Sequence, residues 1–444
     1  MDFAGALAYL DGHLNLETGT AAPAAARRLE SVRRLVEVMG DPQRAYPVLH
    51  LTGTNGKGST AAMLDAVLTA AGYRTGLYTS PHLVDFVERI RMGGRTIPRA
   101  AVVELVAALR ADLEAAGIVL THFEFATLIA FEWFARVGID VAVIEVGLGG
   151  RLDATNLVRP AVTAITSIAL DHEAWLGHDL AAIAMEKAGI VKPGVPLALG
   201  QLPAEAARVV AAHAAAAGAP LVCVGVDATL AETPDGLVFR GPGVTWDGLR
   251  LALRGTFQQG NAAVALTALA LVRERFPCAP EAVRAGLAAV RWPGRLAVLR
   301  ERPLVVVDGA HNPAGATTLA AELPGVVGDR PVVLVFAVMA DKDWRAMLGP
   351  LLARAARVIV TRVGRRAADP QALADALRGR VPVEAVVEPR AALRAALARA
   401  GAEGAVLVTG SLFLAGEAYA ELGGPGALFE PWQPPGADAT EAAS

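Results

Sequence analysis

The stretch LTGTNGKGST, residues 51–60, sets a lysine and hydroxyl side chains in a glycine-rich turn, a combination suited to gripping phosphate. It is shorter than the usual G-x-x-x-x-G-K-[ST] loop. Two residues separate Gly53 from Gly56, and Gly58 stands where a metal-holding hydroxyl is expected. A strand pattern before the loop and a helix pattern after it favour nucleotide phosphate over a merely tight turn, because N–H groups at a helix N-terminus attract phosphate oxygens. The displaced hydroxyl could come from Thr79 or Ser80 in YTSPHL, although a serine before proline is by itself an ordinary turn starter.

Further polar groups follow buried-strand patterns, where open α/β sheets bind ligands. Glu145 ends the apolar run of AVIEVGLGGRLDATN; a carboxylate there is costly to bury without a cation, and we read it as a Mg²⁺ ligand rather than half of a structural ion pair. Asp171 and His172 hold the corresponding place in SIALDHEAWLG. Asp308, His311 and Asn312 crowd the turn VVVDGAHNPAG and suggest a site facing a cleft between domains. Lys187, in MEKAGIVKPG, falls near a helix C-terminus, where offsetting the helix dipole is the ordinary role. One bias bears on it. Of 41 Lys and Arg residues only four are lysine: Lys57, Lys187, Lys192 and Lys342. A lysine kept in such a chain suits work that a guanidinium cannot do, as a compact charge or as an amine that loses its proton. Lys192, before PGVP, reads as a solvated turn residue.

The elements that must position these groups alternate short β-like runs with amphipathic helices, the signature of a wound α/β protein. Strands are expected at 46–52, 74–80 and 140–146, then in AVTAITSIA, VPLALG and PLVCVG, with helices at about 59–71, 98–116 and 123–137. PHLVDFVERIRMGGRT reads as a charged, glycine-rich loop. Polar-alternating strands around 227–254 suggest a small antiparallel sheet, followed by helical runs over 257–289. VRWPGRL (290–296) is the boundary candidate, after which five strand patterns, at 303–311, 331–339, 356–363, 381–387 and 404–411, form a second cycle. The last residues, QPPGADATEAAS, have the composition of a disordered tail.

At 444 residues the chain has room for two or three domains. Its longest apolar stretches run to about ten residues, half of a bilayer span. The start lacks the basic region, apolar core and cleavage site of a secretory signal. Two cysteines cannot make a disulfide framework or a zinc cluster. A net charge of −3 and the lack of a basic, aromatic-interleaved stripe argue against nucleic acid. The expectation is a cytoplasmic monomer with no nucleic-acid or membrane partner.

These places, in this order, resemble the Mur ligase superfamily, and more closely its folylpolyglutamate synthase and dihydrofolate synthase/folylpolyglutamate synthase family in bacteria. GTNGKGS, TSPHL…ERI, THFEFAT, EVGLGGRLDATN, DH…LG, EKAGI, QQGN, WPGR, DGAHNP and TGSLFLAGE recur between about residue 25 and residue 422. The resemblance implies a P-loop-containing, doubly wound, mostly parallel sheet domain over 1–292, carrying ATP and the pterin or folate site. It also implies a smaller Rossmann-like α/β domain over 297–430 on the glutamate side, and a tail over 431–444. It assigns two Mg²⁺ ions to Ser80, Glu145, His172 and Lys187, the lysine carried as a carbamate. An ammonium beside two dications is driven toward its neutral form, which can add CO₂; arginine cannot. ATP would be held by Thr54, Asn55, Gly56, Lys57, Gly58 and Ser59, and from the far side by Asn261, Arg295 and Asp308. Thr121, His122, Phe123 and Glu124 with Leu152, Asp153 and Ala154 would form the pterin pocket, and His311 and Ser411 the glutamate side, with Lys342 a weaker candidate there. Lys57, Glu145, His172, Lys187, Asp308 and His311 would be the catalytic set.

The implied activity is that of an ATP-dependent acid–amino-acid ligase. It joins L-glutamate to 7,8-dihydropteroate or to a folate γ-carboxylate through an acyl phosphate, with Mg²⁺ and Lys57 neutralising the developing charge. A peptidoglycan Mur ligase would want a UDP-binding domain of roughly a hundred residues before the loop, where about fifty stand here. A P-loop switch or metallochaperone would want an N-K-x-D signature or a Cys/His cluster, and neither is present.

Overall fold

The computed structural model describes residues 1–15, 17, 29–423 and 428–433. Its first sheet is built from β1 (Val48–Thr52), β2 (Thr75–Tyr78), β3 (Ile90–Met92), β4 (Arg95–Thr96), β5 (Val141–Glu145), β6 (Pro160–Ile165), β7 (Leu197–Leu199) and β8 (Leu221–Cys223). Their order is β4-β3-β2-β5-β1-β6-β7-β8, with β3 and β4 antiparallel at one edge and the other six strands parallel. The central strands β1, β2 and β5 are buried throughout, which is why they read as continuous apolar runs instead of alternating ones. The chain leaves β1 for β2 on one side and returns to β6 on the other, so the carboxyl ends of β1, β5 and β6 open at a topological switch point.

The helix Lys57–Ala70 starts where Gly56 takes the left-handed conformation, φ 86°. It is rich in alanine and buried on most of its surface, because it packs against β2 and β5 and also against the helices Phe257–Leu271 and Pro280–Ala289. The approach is close: a Cβ on Gly286 would lie 2.5 Å from the Val67 Cα. A three-stranded antiparallel sheet, β9 (Thr229–Thr233), β10 (Gly236–Gly241) and β11 (Val244–Leu249), caps this helical layer, with Phe239 stacked on Trp246.

The second sheet holds β12 (Ala297–Glu301), β13 (Leu304–Val307), β14 (Val332–Phe336), β15 (Ala355–Val360), β16 (Val383–Ala385) and β17 (Ala405–Thr409) in the order β12-β13-β17-β14-β15-β16. All are parallel except β12, which pairs antiparallel with β13. The α/β class, with a mostly parallel first sheet and a second, smaller α/β domain, is as the sequence implies, while the antiparallel β12 that makes the second sheet mixed was not expected.

Three local expectations differ. The loop read in PHLVDFVERIRMGGRT contains the edge strands β3 and β4, too short to show a period and formed because β2 offers an open edge. β12 and the helices Phe3–Asp11 and Leu29–Val38 also went unread. The first residues of the expected tail over 431–444 pair with the first domain: Pro431 bridges Thr96, and the Trp432 ring meets Trp133 edge-on. The rest of that tail, 434–444, lies outside the described residues. Among the described residues no helix is long and apolar enough to cross a membrane.

Candidate active site

The phosphate loop is braced from behind by the end of β6. Thr54 N–H donates to the Ser167 carbonyl at 2.8 Å, and the Thr54 hydroxyl is tied to Ala169 through both its N–H and its carbonyl. The Asn55 N–H donates to Ser167 Oγ at 2.9 Å, and the Asn55 carbonyl accepts from the hydroxyls of Thr166 and Ser167. Thr54, expected to contact ATP, has its polar groups committed to this bracing. Gly53, Gly56 and Gly58 are required by close approach: a Cβ would come within 1.9 Å of Thr166 Oγ1, 2.1 Å of Asn261 Oδ1 and 2.5 Å of the Trp292 ring respectively. Asn261 therefore lies directly against the loop. The buried Ser59 hydroxyl has no hydrogen-bond partner among the described residues and is available to a ligand.

Lys57 folds back, its Nζ donating to the carbonyls of Gly53 and Thr54 at 3.1 and 3.2 Å. Lys187, near the end of the helix Leu180–Ala188, is 4% exposed and donates to the same Gly53 carbonyl at 2.8 Å. Burial, assisted by the Lys57 ammonium, pulls the Lys187 amine down to about 7, so much of it is neutral near neutral pH. Lys192 is not a solvated turn residue; its Nζ holds the carbonyl and side-chain oxygens of Asn156.

Glu145 ends β5 at 4% exposure, and its one hydrogen bond among the described residues is from the Ser80 N–H at 3.4 Å. Burial pushes its carboxyl up to about 7 against the opposing pull of Lys57. A buried carboxylate with so little compensation, next to a serine hydroxyl, is a hard-oxygen donor set, and it fits a divalent cation such as Mg²⁺. Gly58, Ser80, Glu145, Trp292 and Arg295 line one small cavity of about 40 Å³. Behind it the buried Arg91 guanidinium lies between the rings of Trp292 and Phe429, so the hinge tryptophan separates the loop from an enclosed cation.

A second cavity, about 210 Å³, opens on the other side of Ser80. Thr121, Phe123, Glu124, Leu152, Asp153, Ala154 and His172 of the first domain line it opposite His311, Lys342, Arg366 and Ser411 of the second. Phe123 leans on Tyr78, and its ring fills the space a Cβ on Gly147 would need, 2.5 Å away. Thr121 and Glu124 are spent partly on a capping box that starts the helix His122–Val137. Asp153 accepts from Leu148 N–H and from Thr155, and burial raises its carboxyl. Ser411 caps the helix Leu412–Leu422. His122 departs from the expectation: it is buried under the Phe86 ring with Nε2 3.6 Å from Asp11, and it is not on the cavity wall. As the first residue of its helix it points away from the face that carries Phe123.

Asp171, which the sequence marked with His172 as a strand-end polar pair but gave no role, is a hub of the site. Its carboxylate is paired with Lys342 and accepts from Asn312 Nδ2 at 2.9 Å, while His311 Nε2 and His172 Nε2 stand 3.7 and 3.9 Å away. Burial opposes its charge, but His172, Lys342 and His311 outweigh it and hold the carboxyl well below the usual carboxylate range. Burial keeps His172 at about 3 and His311 at about 4, so both rings are neutral at pH 7. Asp308 turns inward: its two oxygens accept from the N–H groups of Leu296 and Ala310, both at 2.8 Å, and so it braces the hinge beside Arg295. Glu17, Asp341 and Arg366 were missed altogether. Arg366 follows β15 and could have been found by the strand-end rule; Glu17 precedes any strand pattern and could not.

The metal set is thus divided. Ser80 and Glu145 meet on the small cavity, His172 faces the large one, and Lys187 lies behind the loop on the Gly53 carbonyl.

Comparison with known proteins identifies both domains of the chain. Residues 51–269 match the Mur ligase middle domain and residues 294–412 the Mur ligase glutamate ligase domain. The chain is 41% identical over 333 residues to the folylpolyglutamate synthase of Lacticaseibacillus casei, covering 72% of this chain and 77% of that protein. The structure of Mycobacterium tuberculosis folylpolyglutamate synthase complexed with ADP superposes with a TM-score of 0.86 at 35% identity, covering 95% of this chain and 98% of that one. A bifunctional folylpolyglutamate synthase/dihydrofolate synthase from Yersinia pestis, complexed with AMPPNP and a Mn ion, matches with a TM-score of 0.83 at 35% identity over 95% and 98% of the two chains.

Proposed function

This chain belongs to the Mur ligase family, in its folylpolyglutamate synthase/dihydrofolate synthase branch, and from that premise we propose how its residues divide the reaction. The activity is ATP-dependent ligation of L-glutamate to folates or dihydropteroate. One observation supports the division of labour: Ser80, with Pro81 and Leu412, lines both cavities, so the side read as nucleotide and the side read as acceptor adjoin at these residues.

Lys57, Ser59 and the loop N–H groups hold the ATP phosphates. Asn261, Arg295 and Asp308 approach from the far side, with Asp308 acting through the hinge it braces. Ser80, Glu145, His172 and a carbamylated Lys187 would hold two Mg²⁺ ions, and these would supply neutralisation of the phosphoryl oxygens. For the carbamate, the neutral Lys187 nitrogen bonds to the carbon of CO₂ and releases one proton to solvent, turning a cation into a −1 oxygen ligand. The pterin ring lies on Phe123, between Thr121–Glu124 and Leu152–Ala154, and directs its carboxylate toward Ser80.

The γ-phosphoryl group passes to that carboxylate, giving an acyl phosphate and ADP, with Lys57 and Arg295 countering the charge that develops. The neutral amine of glutamate, oriented by His311, Ser411 and Lys342, then attacks the acyl carbon, and phosphate leaves. Closure of the two domains excludes the water that would hydrolyse the acyl phosphate. A cytoplasmic monomer completes the reading.

The test is incorporation of labelled glutamate with dihydropteroate and tetrahydrofolate offered in parallel. ADP and phosphate should form only when acceptor and glutamate are both present. Vigorous ATP hydrolysis with neither would count against the ligase reading, and AMP with pyrophosphate would exclude the acyl phosphate.

A further inference from the structure

Asn312 sits in the second domain's opening turn, is 1% exposed, and uses every hydrogen-bonding position of its amide. Its Oδ1 accepts from Gly315 N–H at 2.8 Å, capping the helix Pro313–Val327, and from Asn55 Nδ2 at 3.2 Å. Its Nδ2 donates to Asn55 Oδ1 and to Asp171 Oδ2, both at 2.9 Å. The orientation of the amide is forced, since Gly315 N–H needs an acceptor and the Asp171 carboxylate needs a donor. Both outward partners belong to the first domain. Asn55 is a residue of the phosphate loop, its main chain already pinned by Thr166 and Ser167.

A helix cap needs only an acceptor, and serine or aspartate would serve as well. The donor half of Asn312 therefore has no role inside its own domain. We propose that Asn312 is a positioning residue: its amide couples closure of the second domain to the geometry of the phosphate loop through Asn55 and Asp171. This rests on the site reading given above, in which that loop holds the ATP phosphates. In an open arrangement Thr166 and Ser167 still hold the Asn55 main chain, but the Asn55 side chain and Asp171 lose their second-domain partner, so the full geometry for phosphoryl transfer is confined to the state in which water is excluded.

Two variants separate this role from capping. Asn312→Asp keeps the cap acceptor but turns the donor into an acceptor facing Asn55 Oδ1 and Asp171 Oδ2. Asn312→Ser keeps the cap and leaves the clasp unmade. Both should unfold thermally within a few degrees of the wild-type chain. The kcat for glutamate ligation should fall on the order of 10²-fold for aspartate, because the loop is misplaced by a fraction of an ångström to an ångström, and about tenfold for serine, with KM for the folate acceptor little changed. In a cycle of Asn55→Ala and Asn312→Ala, the double variant should be no slower than the slower single one. Small-angle scattering with a non-hydrolysable ATP analogue should show compaction of the wild-type chain and none of Asn312→Asp.

Near-normal kcat in Asn312→Asp, independent losses in the cycle, or equal compaction of the two proteins would overturn the proposal. Ligation by the wild-type chain and binding of the analogue to it test the site reading separately; with the analogue bound, the scattering comparison, which needs no turnover, tests the clasp.

Discussion

Lys57 and Lys187 donate to one carbonyl oxygen, that of Gly53, from 3.1 and 2.8 Å. Burial first, and the neighbouring Lys57 ammonium on the same acceptor second, hold the Lys187 amine near 7. Lys57 is the more exposed of the two, and the buried Lys187 amine is the one left able to react with CO₂. Lys187→Ala should be nearly inactive and Lys187→Arg no better, although arginine preserves charge and helix propensity. Formate or acetate at high concentration should restore part of the activity to the alanine variant only. Full ligation activity in Lys187→Arg would remove the carbamate from the mechanism.

Glu145 should make stability depend on pH in a direction set by its raised carboxyl. Burial lifts it from 4.5 to about 7, so between those values the folded chain binds a proton that the unfolded chain has lost. Without metal, stability is therefore lost as pH rises through that window, by about 3 kcal/mol for this group at 1.36 kcal/mol per unit. Glu145→Gln, which does not titrate, should not show this loss, so the difference between the two denaturation curves isolates it. Mg²⁺ or Mn²⁺ should stabilise the wild-type chain above pH 7 and leave the glutamine variant unmoved. Parallel curves for the two proteins with and without metal would contradict the ligand assignment.

Gly147→Ala should close the pterin side without touching chemistry. The added Cβ would stand 2.5 Å from the Phe123 ring, and Gly147 is not held in the left-handed backbone region, so the effect is steric. The ring must move into the cavity, and KM for the pterin acid should rise about tenfold, equivalent to losing about 1.4 kcal/mol of binding. KM for ATP should stay within a factor of two or so of normal. Adding Phe123→Leu should relieve the clash and recover much of the acceptor affinity. If steady-state kinetics show KM unchanged in Gly147→Ala, Phe123 is not a wall of the acceptor site.

Asp308→Asn should damage ATP use through the hinge. One of its two carboxylate oxygens, each accepting a main-chain N–H at 2.8 Å, becomes a donor facing another donor. Leu296, which holds φ 46°, loses or strains its anchor, and Arg295 beside it loses its aim. A stability loss of about 1–3 kcal/mol is expected from the unpaired buried group, together with a raised KM for ATP and unchanged KM for glutamate. Isothermal titration with a non-hydrolysable ATP analogue measures the second effect; normal affinity would show that the hinge brace does not bear on the nucleotide.

The sequence by itself determined the order of the elements and the chemistry at the strand ends. Continuous apolar runs such as VAVIE can only be central parallel strands, and a carboxylate, a lysine or a histidine just beyond them is legible because burying such a group demands a partner. Glu145, Lys57, Lys187 and His172 were therefore readable one by one. What they face was not. Only the tertiary structure decided that Lys187 shares an oxygen with Lys57, that Asp171 binds Lys342 and Asn312 from a domain some 140–170 residues away in the chain, and that His122 turns into the core while its neighbour Phe123 lines the cavity. The edge strands β3 and β4, and residues 431–433 beside them, were unreadable for the same reason. Two or three residues carry no period, and they become strands only where another strand leaves its N–H and C=O groups open. Local pattern reports which face of an element is apolar; the meeting of two domains depends on hinge angles and long-range hydrogen bonds that no local pattern encodes.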